Sequence, residues 1–209
     1  MKAMILAAGL GKRMRPLTLT TPKPLIEVAG KPLIVYQLEN LVRAGVSDVV
    51  INHAWLGDRI EAYLGDGRRF GCRIAYSAES EPLETAGGIR KALSMLVDND
   101  EECFLVVNGD VFTHSEYADL TLSLASDDQA KLWMVNNPQW HPEGDFVLNE
   151  DRVALEGAPR LTFAGISLLR ATLLAELEPN VPSALAPLLR ASIELKQVAG
   201  AILPGYWND

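Results

Sequence analysis

Four cations stand close together near the start of this sequence. Lys12, Arg13 and Arg15 surround or follow Gly9 and Gly11, and Lys23 is set between Pro22 and Pro24. Glycines permit positive φ and let a backbone approach an anion closely. Free backbone N–H groups after a strand make a concave seat for phosphate oxygens. Arginine grips such oxygens two at a time. A proline on each side stiffens the chain around Lys23, so its ammonium is aimed at low entropic cost. The set fits a polyphosphate. Its spacing excludes the commoner phosphate loops, because there is no G-x-x-x-x-G-K-[ST], and Met14 stands where a dinucleotide fingerprint carries its third glycine.

A second constellation is Asn108-Gly109-Asp110, which follows the apolar run Cys103–Val107. A carboxylate at the end of a buried strand suits a divalent cation such as Mg2+, which takes one or two carboxylates and completes its shell with phosphates and water. The alternative for Asp110 is a turn aspartate bonded to its own backbone. Asn108 either touches a ligand from the same turn or shapes the turn. His53, His114 and His141 lack metal-ligand spacing, and the four tryptophans have no nucleic-acid pattern around them.

Taken together, L-A-A-G-x-G-x-R-M-x-P-x-T, running from Leu6 to Thr18, and the P-K-P at Lys23 resemble the sugar-1-phosphate nucleotidylyltransferases. The resemblance implies that Leu6, Ala7, Ala8, Gly9, Gly11, Lys12 and Arg13 wrap the triphosphate of a nucleotide. Arg13 and Lys23 are then the catalytic cations, and Mg2+ is the cofactor. It makes Asp110 one metal ligand. The family's second metal ligand lies in W-x-D-x-G-T, and Trp207-Asn208-Asp209 matches its first part before the sequence ends. Glu79-Ser80-Glu81-Pro82-Leu83-Glu84-Thr85-Ala86-Gly87-Gly88 resembles the base-reading loop, which places Glu79, Thr85 and Ala86, with Asn108, against the nucleotide. Glu84 replaces a usual glycine there, and a glutamate (Glu79 or Glu81) stands where several relatives carry glutamine. On the sugar side Thr162-Phe163-Ala164-Gly165-Ile166 resembles the N-A-G-I strand, but the E-E-K-P lysine is absent. The substrate-binding set is accordingly Asn108, Gly144, Arg160 and Thr162, with Arg160 standing in for the lysine.

Within the family the short chain, the E-P-L-E-T-A-G-G loop and the T-F-A-G-I segment resemble the uridylyltransferase branch. That branch implies UTP and N-acetylmuramic acid α-1-phosphate as substrates, in cell-wall recycling. The rivals are a mannose-1-phosphate guanylyltransferase using GTP, favoured by E-x-E-P-L, and a catalytically silent nucleotide-sensing module of the same fold. Intact Arg13, Lys23 and Asp110 speak against silence.

Positioning these residues requires strands that end together. Apolar runs at Ala3–Ala7, Asp48–Asn52, Arg73–Tyr76, Cys103–Val107 and Lys131–Val135 read as strands. Amphipathic helices are expected at Pro32–Ala44, Trp55–Leu64, Ala86–Leu96 and His114–Leu124. The alternation predicts an α/β fold, a Rossmann-like, mostly parallel mixed sheet flanked by helices, with ligands at the carboxyl ends of the strands. The resemblance makes it the nucleotide-diphospho-sugar transferase (GT-A-like) form. Beyond Asn136 the pattern breaks into a hairpin, Phe146–Leu148 with Arg152–Leu155, a strand at Phe163–Leu169, and helices near Ala171–Leu177 and Ser183–Leu189. The expectation is one domain over residues 1–209, with about 1–135 binding nucleotide and about 136–209 forming a sugar-binding lobe.

Composition sets the outer limits. The chain has 209 residues, 48% hydrophobic and 22% charged, with a net charge of −8, the profile of a globular protein with a real core. Its acidity argues against nucleic acid as a partner, and no apolar run suffices to span a membrane. The opening apolar run breaks at a glycine and is too short for a signal peptide. Cys72 and Cys103, with no C-x-x-C, read as free thiols of a cytoplasmic protein. A monomer or small homo-oligomer is expected.

Overall fold

The computed structural model describes residues 1–99, 102–120 and 122–209. Its centre is a nine-stranded mixed sheet. The strands are β1 (Ala3–Leu6), β2 (Asp48–His53), β3 (Arg73–Ala78), β4 (Cys103–Asn108), β5 (Ala130–Val135), β6 (Phe146–Asn149), β7 (Arg152–Ala154), β8 (Arg160–Arg170) and β9 (Val198–Ile202). Their order is β3-β2-β1-β4-β8-β5-β9-β7-β6, and β6 also pairs with β8. The half β3-β2-β1-β4 is wholly parallel; β2, β1 and β4 are largely apolar and buried, as strands covered on both faces are, whereas the edge strand β3 is Arg-Ile-Ala-Tyr-Ser-Ala and mostly exposed or half-buried. β8 joins that half antiparallel to β4, with Ile166 opposite Val107, and begins the more antiparallel region.

Among the described residues four α-helices flank the sheet: α1 (Leu33–Arg43), α2 (Gly57–Leu64), α3 (Glu84–Leu96) and α4 (Leu185–Glu194). Two apolar cores result. One gathers Ile5, Ile51 and Val107 with Leu38 and Leu41 of α1, and the other gathers Met4, Val50 and Val106 with Ile89 and Leu93 of α3 and Leu189 of α4. α1 starts after Pro32 and stops before Gly45, whose φ is +79°, as proline and glycine punctuation dictates. α2 starts two residues later than the pattern predicts. His53 fills the space there: a Cβ on Gly57 would stand 1.8 Å from its Nδ1.

Two expectations are corrected. The helix expected at His114–Leu124 is replaced by a two-residue strand, Phe112–Thr113, and one 3-10 turn at Tyr117–Asp119; Thr121 lies outside the described residues. Thr113 Oγ1 accepts from Ser115 N at 3.0 Å and donates to Tyr206 O at 2.9 Å, so side-chain hydroxyls capture the backbone that a helix would need. The helix expected near Ala171–Leu177 is a single 3-10 turn, Ala171–Leu174. Beyond the sequence reading stands β9, whose Val-Ala-Gly-Ala-Ile carries little pattern but pairs parallel with β5. Among the described residues, no helix is long and apolar enough to cross a membrane.

Candidate active site

β1 and β4 lie side by side in register, Leu6 opposite Asn108, so the two loops that leave them share one cleft. Ala7 N donates to Asn52 Oδ1 at 3.0 Å, which fixes the direction in which the chain leaves β1. Gly9 follows on the cleft wall, and a Cβ there would meet nothing within 4 Å, so its backbone faces open space. Gly11, at φ +58°, turns the chain into a 3-10 turn, Lys12–Met14, with Thr18 Oγ1 donating to its carbonyl at 2.8 Å. Trp55 Nε1 ties that return to α2 by donating to Thr18 O at 3.1 Å. Lys12 and Arg13 stand exposed on the rim outside the cleft wall.

The second loop is held more tightly. Gly109 N donates to Leu6 O at 2.9 Å, and a Cβ on Gly109 would lie 2.9 Å from that same oxygen, so no larger residue fits. Asp110 follows. Buried Gln37 grips Val111 O just beyond it and is itself bonded by the Tyr117 hydroxyl. Phe112–Thr113 then pairs antiparallel with Trp207–Asn208, and Trp207 Nε1 donates to Ala164 O at 2.9 Å. This two-stranded ribbon brings Asp209 beside Asp110 across 99 positions of sequence. Lys23 Nζ lies 2.6 Å from Asp110 Oδ2 and 3.7 Å from Asp209 Oδ1. Burial, and then the negative charge of Asp110, push the Asp209 carboxyl above its ordinary range, while Lys23 and Arg13 oppose the shift. Two hard oxygen donors in partial burial around one cation have the chemistry of a Mg2+ site whose remaining ligands come from phosphate. Among the described residues no cluster of three or more metal-ligating side chains exists.

The cleft has a volume of ≈ 290 Å3 and runs from Leu6, Ala7 and Ala8 past Lys23 to Asn52, Glu79, Glu84 and Thr85. Glu79 is buried, and its carboxylate accepts from Asn52 Nδ2 at 2.7 Å and from Leu83 N at 2.9 Å. It therefore braces the Glu79–Thr85 loop against β2 from behind. Gly88 makes room for that brace, since a Cβ there would lie 2.6 Å from Glu79 Oε1. Glu84 adopts φ +58°, the conformation that a glycine takes freely and a glutamate does not. Thr85 reaches the cleft, whereas Ala86 is wholly buried and outside its wall. Ala86 N and Gly87 N both donate to Ser183 O, at 2.9 and 3.0 Å, and Ser183 N returns to Leu83 O at 3.0 Å. Those N–H groups are taken up by the segment ahead of α4, and Ala86, expected at the nucleotide, does not line the cleft.

A second cleft, ≈ 560 Å3, shares Glu84, Thr85 and Asn108 with the first and continues over Asp145, Phe146, Phe163, Leu185, Leu189 and Arg190. Asn108 thus stands between the two. Gly165, at φ +72° in the bulge of β8, leaves room for it: a Cβ would lie 2.6 Å from Asn108 Nδ2. The other expected sugar-side residues lie off both clefts, each with a protein partner. Arg160 donates to Leu155 O at 3.1 Å and to Asp145 O, which clamps the β6–β7 hairpin. Thr162 is buried and donates to Asn137 Oδ1 at 2.9 Å, and Gly144, at φ +61°, packs against that same amide. None of the three lines either cleft. The sequence reading missed Asn52, Asp145 and Arg190. Arg190 had a readable signal, as the one cation in the otherwise apolar or small run Leu185–Ser192.

Residues 2–146 match the profile of the nucleotidyl transferase family. The chain is 48% identical over 216 residues to an N-acetylmuramate alpha-1-phosphate uridylyltransferase of Neisseria meningitidis serogroup B, covering 100% of this chain and 92% of that one. It is 32% identical over 220 residues to a mannose-1-phosphate guanyltransferase of Gibberella zeae, spanning 100% of this chain and 60% of that protein. In structure it resembles a putative glucose-1-phosphate thymidylyltransferase from Bacillus anthracis, with a TM-score of 0.83 at 19% identity over 100% and 89% of the two chains.

Proposed function

The chain belongs to the nucleotidyl transferase family, and we propose that it transfers UMP from UTP to N-acetylmuramic acid α-1-phosphate, releasing pyrophosphate. The observation that carries this reading is the Lys23 ammonium set between Asp110 and Asp209, beside the open backbone of Gly9. A sugar-phosphate oxygen attacks the α-phosphorus in line and the pyrophosphate oxygen leaves. Both reactants are anions, so the protein supplies charge and alignment rather than a nucleophile.

Gly9 and its neighbours receive the triphosphate, Arg13 closes over it from the rim, and Lys23 stabilises the charge that grows on the α-phosphate. Asp110 and Asp209 are the residues that would hold Mg2+, which neutralises phosphate charge when bound. Lys23, within ion-pair distance of both carboxylates, keeps three charged groups near one another. Asn108, between the clefts, orients the sugar relative to the nucleotide. Residues of the first cleft thus serve the nucleotide, and those of β6, β8 and α4 serve the sugar.

Uracil is favoured over guanine by the 48% identical relative and by Glu84, which adds bulk and charge where a purine wants a bare backbone. The test is incubation with each NTP, Mg2+ and a panel of sugar 1-phosphates, reading pyrophosphate release. Turnover of UTP with N-acetylmuramic acid α-1-phosphate is expected. Preference for GTP with mannose 1-phosphate installs the guanylyltransferase reading instead, and no release with any pair leaves a silent module.

A further inference from the structure

Arg190 is the one cation among the described residues lining the second cleft. It stands exposed on α4, and among the described residues its side chain makes no ion pair or hydrogen bond. Its guanidinium lies 5.9 Å from the centre of the Phe146 ring, an aromatic platform that orients the guanidinium while leaving its N–H edge available. Two acids line this cleft, Glu84 and Asp145, and neither is ion-paired with Arg190. Asp145 accepts from Phe163 N at 2.8 Å and pairs with His141 Nε2 at 3.1 Å. Below Arg190 the wall is apolar, formed by Leu185, Ala186 and Leu189.

A sugar 1-phosphate has its reacting phosphate at one end. That phosphate belongs beside Lys23 and Asp110 in the first cleft, and Arg190 lines only the second. The cation therefore faces a different part of the sugar. Neutral hexose hydroxyls give an unpaired guanidinium no counter-charge. A carboxylate carried on the ring does, and a guanidinium binds it with two parallel N–H···O contacts.

Resting on the uridylyltransferase reading, we infer that Arg190 binds the carboxylate of the lactyl ether on N-acetylmuramic acid, with the apolar wall of α4 taking the methyl of that group. Arg190 is then the residue that separates N-acetylmuramic acid 1-phosphate from N-acetylglucosamine 1-phosphate, the same sugar without the ether. A charge-assisted contact of this kind is a difference of about 10- to 100-fold in selectivity.

The experiment compares kcat/KM for these two sugar phosphates at saturating UTP and Mg2+, in the wild type, R190A and R190K. The expected result is a fall of about 10- to 100-fold in the ratio for R190A, expressed in KM for the muramic substrate, with R190K recovering part of it. R190Q keeps the side-chain stem and takes the place of R190A if the latter does not fold. An unchanged ratio, or equal losses on both sugars, overturns the inference while leaving the uridylyltransferase reading intact. A wild type that rejects N-acetylmuramic acid 1-phosphate overturns both.

Discussion

Asn52→Asp changes one atom of the brace behind the base loop and tests whether that brace organises the site. In the native protein Asn52 Oδ1 accepts from Ala7 N at 3.0 Å, and Asn52 Nδ2 donates to Glu79 Oε1 at 2.7 Å. The aspartate keeps the shape and the acceptor but removes the donor, leaving two carboxylates in contact at buried positions. Losing a hydrogen bond to a charged acceptor costs about 1.5–3 kcal/mol. Leaving an uncompensated charge in a buried place brings the total to about 3–5 kcal/mol. For a chain of this size each kcal/mol moves the midpoint by about 2–4 °C, so Tm at pH 8 should fall by about 10 °C. Two carboxylates in contact relieve their repulsion by sharing a proton, which raises a pKa of the folded variant. Its stability is then restored at low pH and lost as pH rises through that raised value, so the deficit should be much smaller at pH 5. KM for the nucleotide should rise, because both Ala7 and Leu83 hang on the brace. Circular-dichroism melts at pH 5 and pH 8, paired with initial-rate kinetics, read both effects. A variant that melts with the wild type at pH 8 would refute the reasoning.

Lys23→Ala should lower kcat by about 10²- to 10³-fold with the melting profile retained, as expected for a charge acting in the transition state; near-normal pyrophosphate release makes Lys23 a bystander. Asp110→Asn should weaken the Mg2+ dependence of the rate, and full activity of that variant, or of the wild type in excess EDTA, contradicts the metal assignment. The raised pKa of Asp209 means that its ionised form is disfavoured by folding, so its contribution is lost as pH rises through the folded value. Asp209→Asn should accordingly raise the metal-free Tm at pH 8 and leave it unchanged at pH 3, while depressing activity. Glu84→Gly should relieve a left-handed backbone and raise the share of GTP used in a UTP–GTP competition; an unchanged ratio removes Glu84 from base selection.

The parallel half of the fold was legible because each strand there is an apolar run closed by a turn and followed by an amphipathic helix. Lys23, Asp110 and Gly9 were legible for a related reason: all three sit in short local motifs whose residue types are unusual for ordinary turns. The other half of the sheet was harder. Its strands are antiparallel and bulged, and Val198–Ile202 has no alternation to read, so its place beside β5 follows only from tertiary pairing. Arg160 and Thr162 have types suited to binding, yet their side chains turn inward to the hairpin and to Asn137. A sequence shows the donor but not the direction in which it points. Glu79 illustrates the same limit, since its burial and its two partners come from β2 and from its own loop.

The Ser183 stitch has a consequence for how two substrates feel one another. Ser183 holds Leu83, Ala86 and Gly87 through its backbone, and a Cβ on Gly87 would lie 2.5 Å from Val181 O, so the two segments are in direct contact. Two residues after Ser183 the chain becomes α4, the wall that carries Arg190. On the proposed reading, a nucleotide that steadies the Leu83–Gly87 loop would also steady the start of that helix, before any sugar is present. Thermodynamic reciprocity then requires the reverse: whatever affinity the nucleotide lends the sugar, the sugar returns to the nucleotide by the same factor. The binding constants of the two ligands are therefore properties of the pair, joined through a single serine backbone.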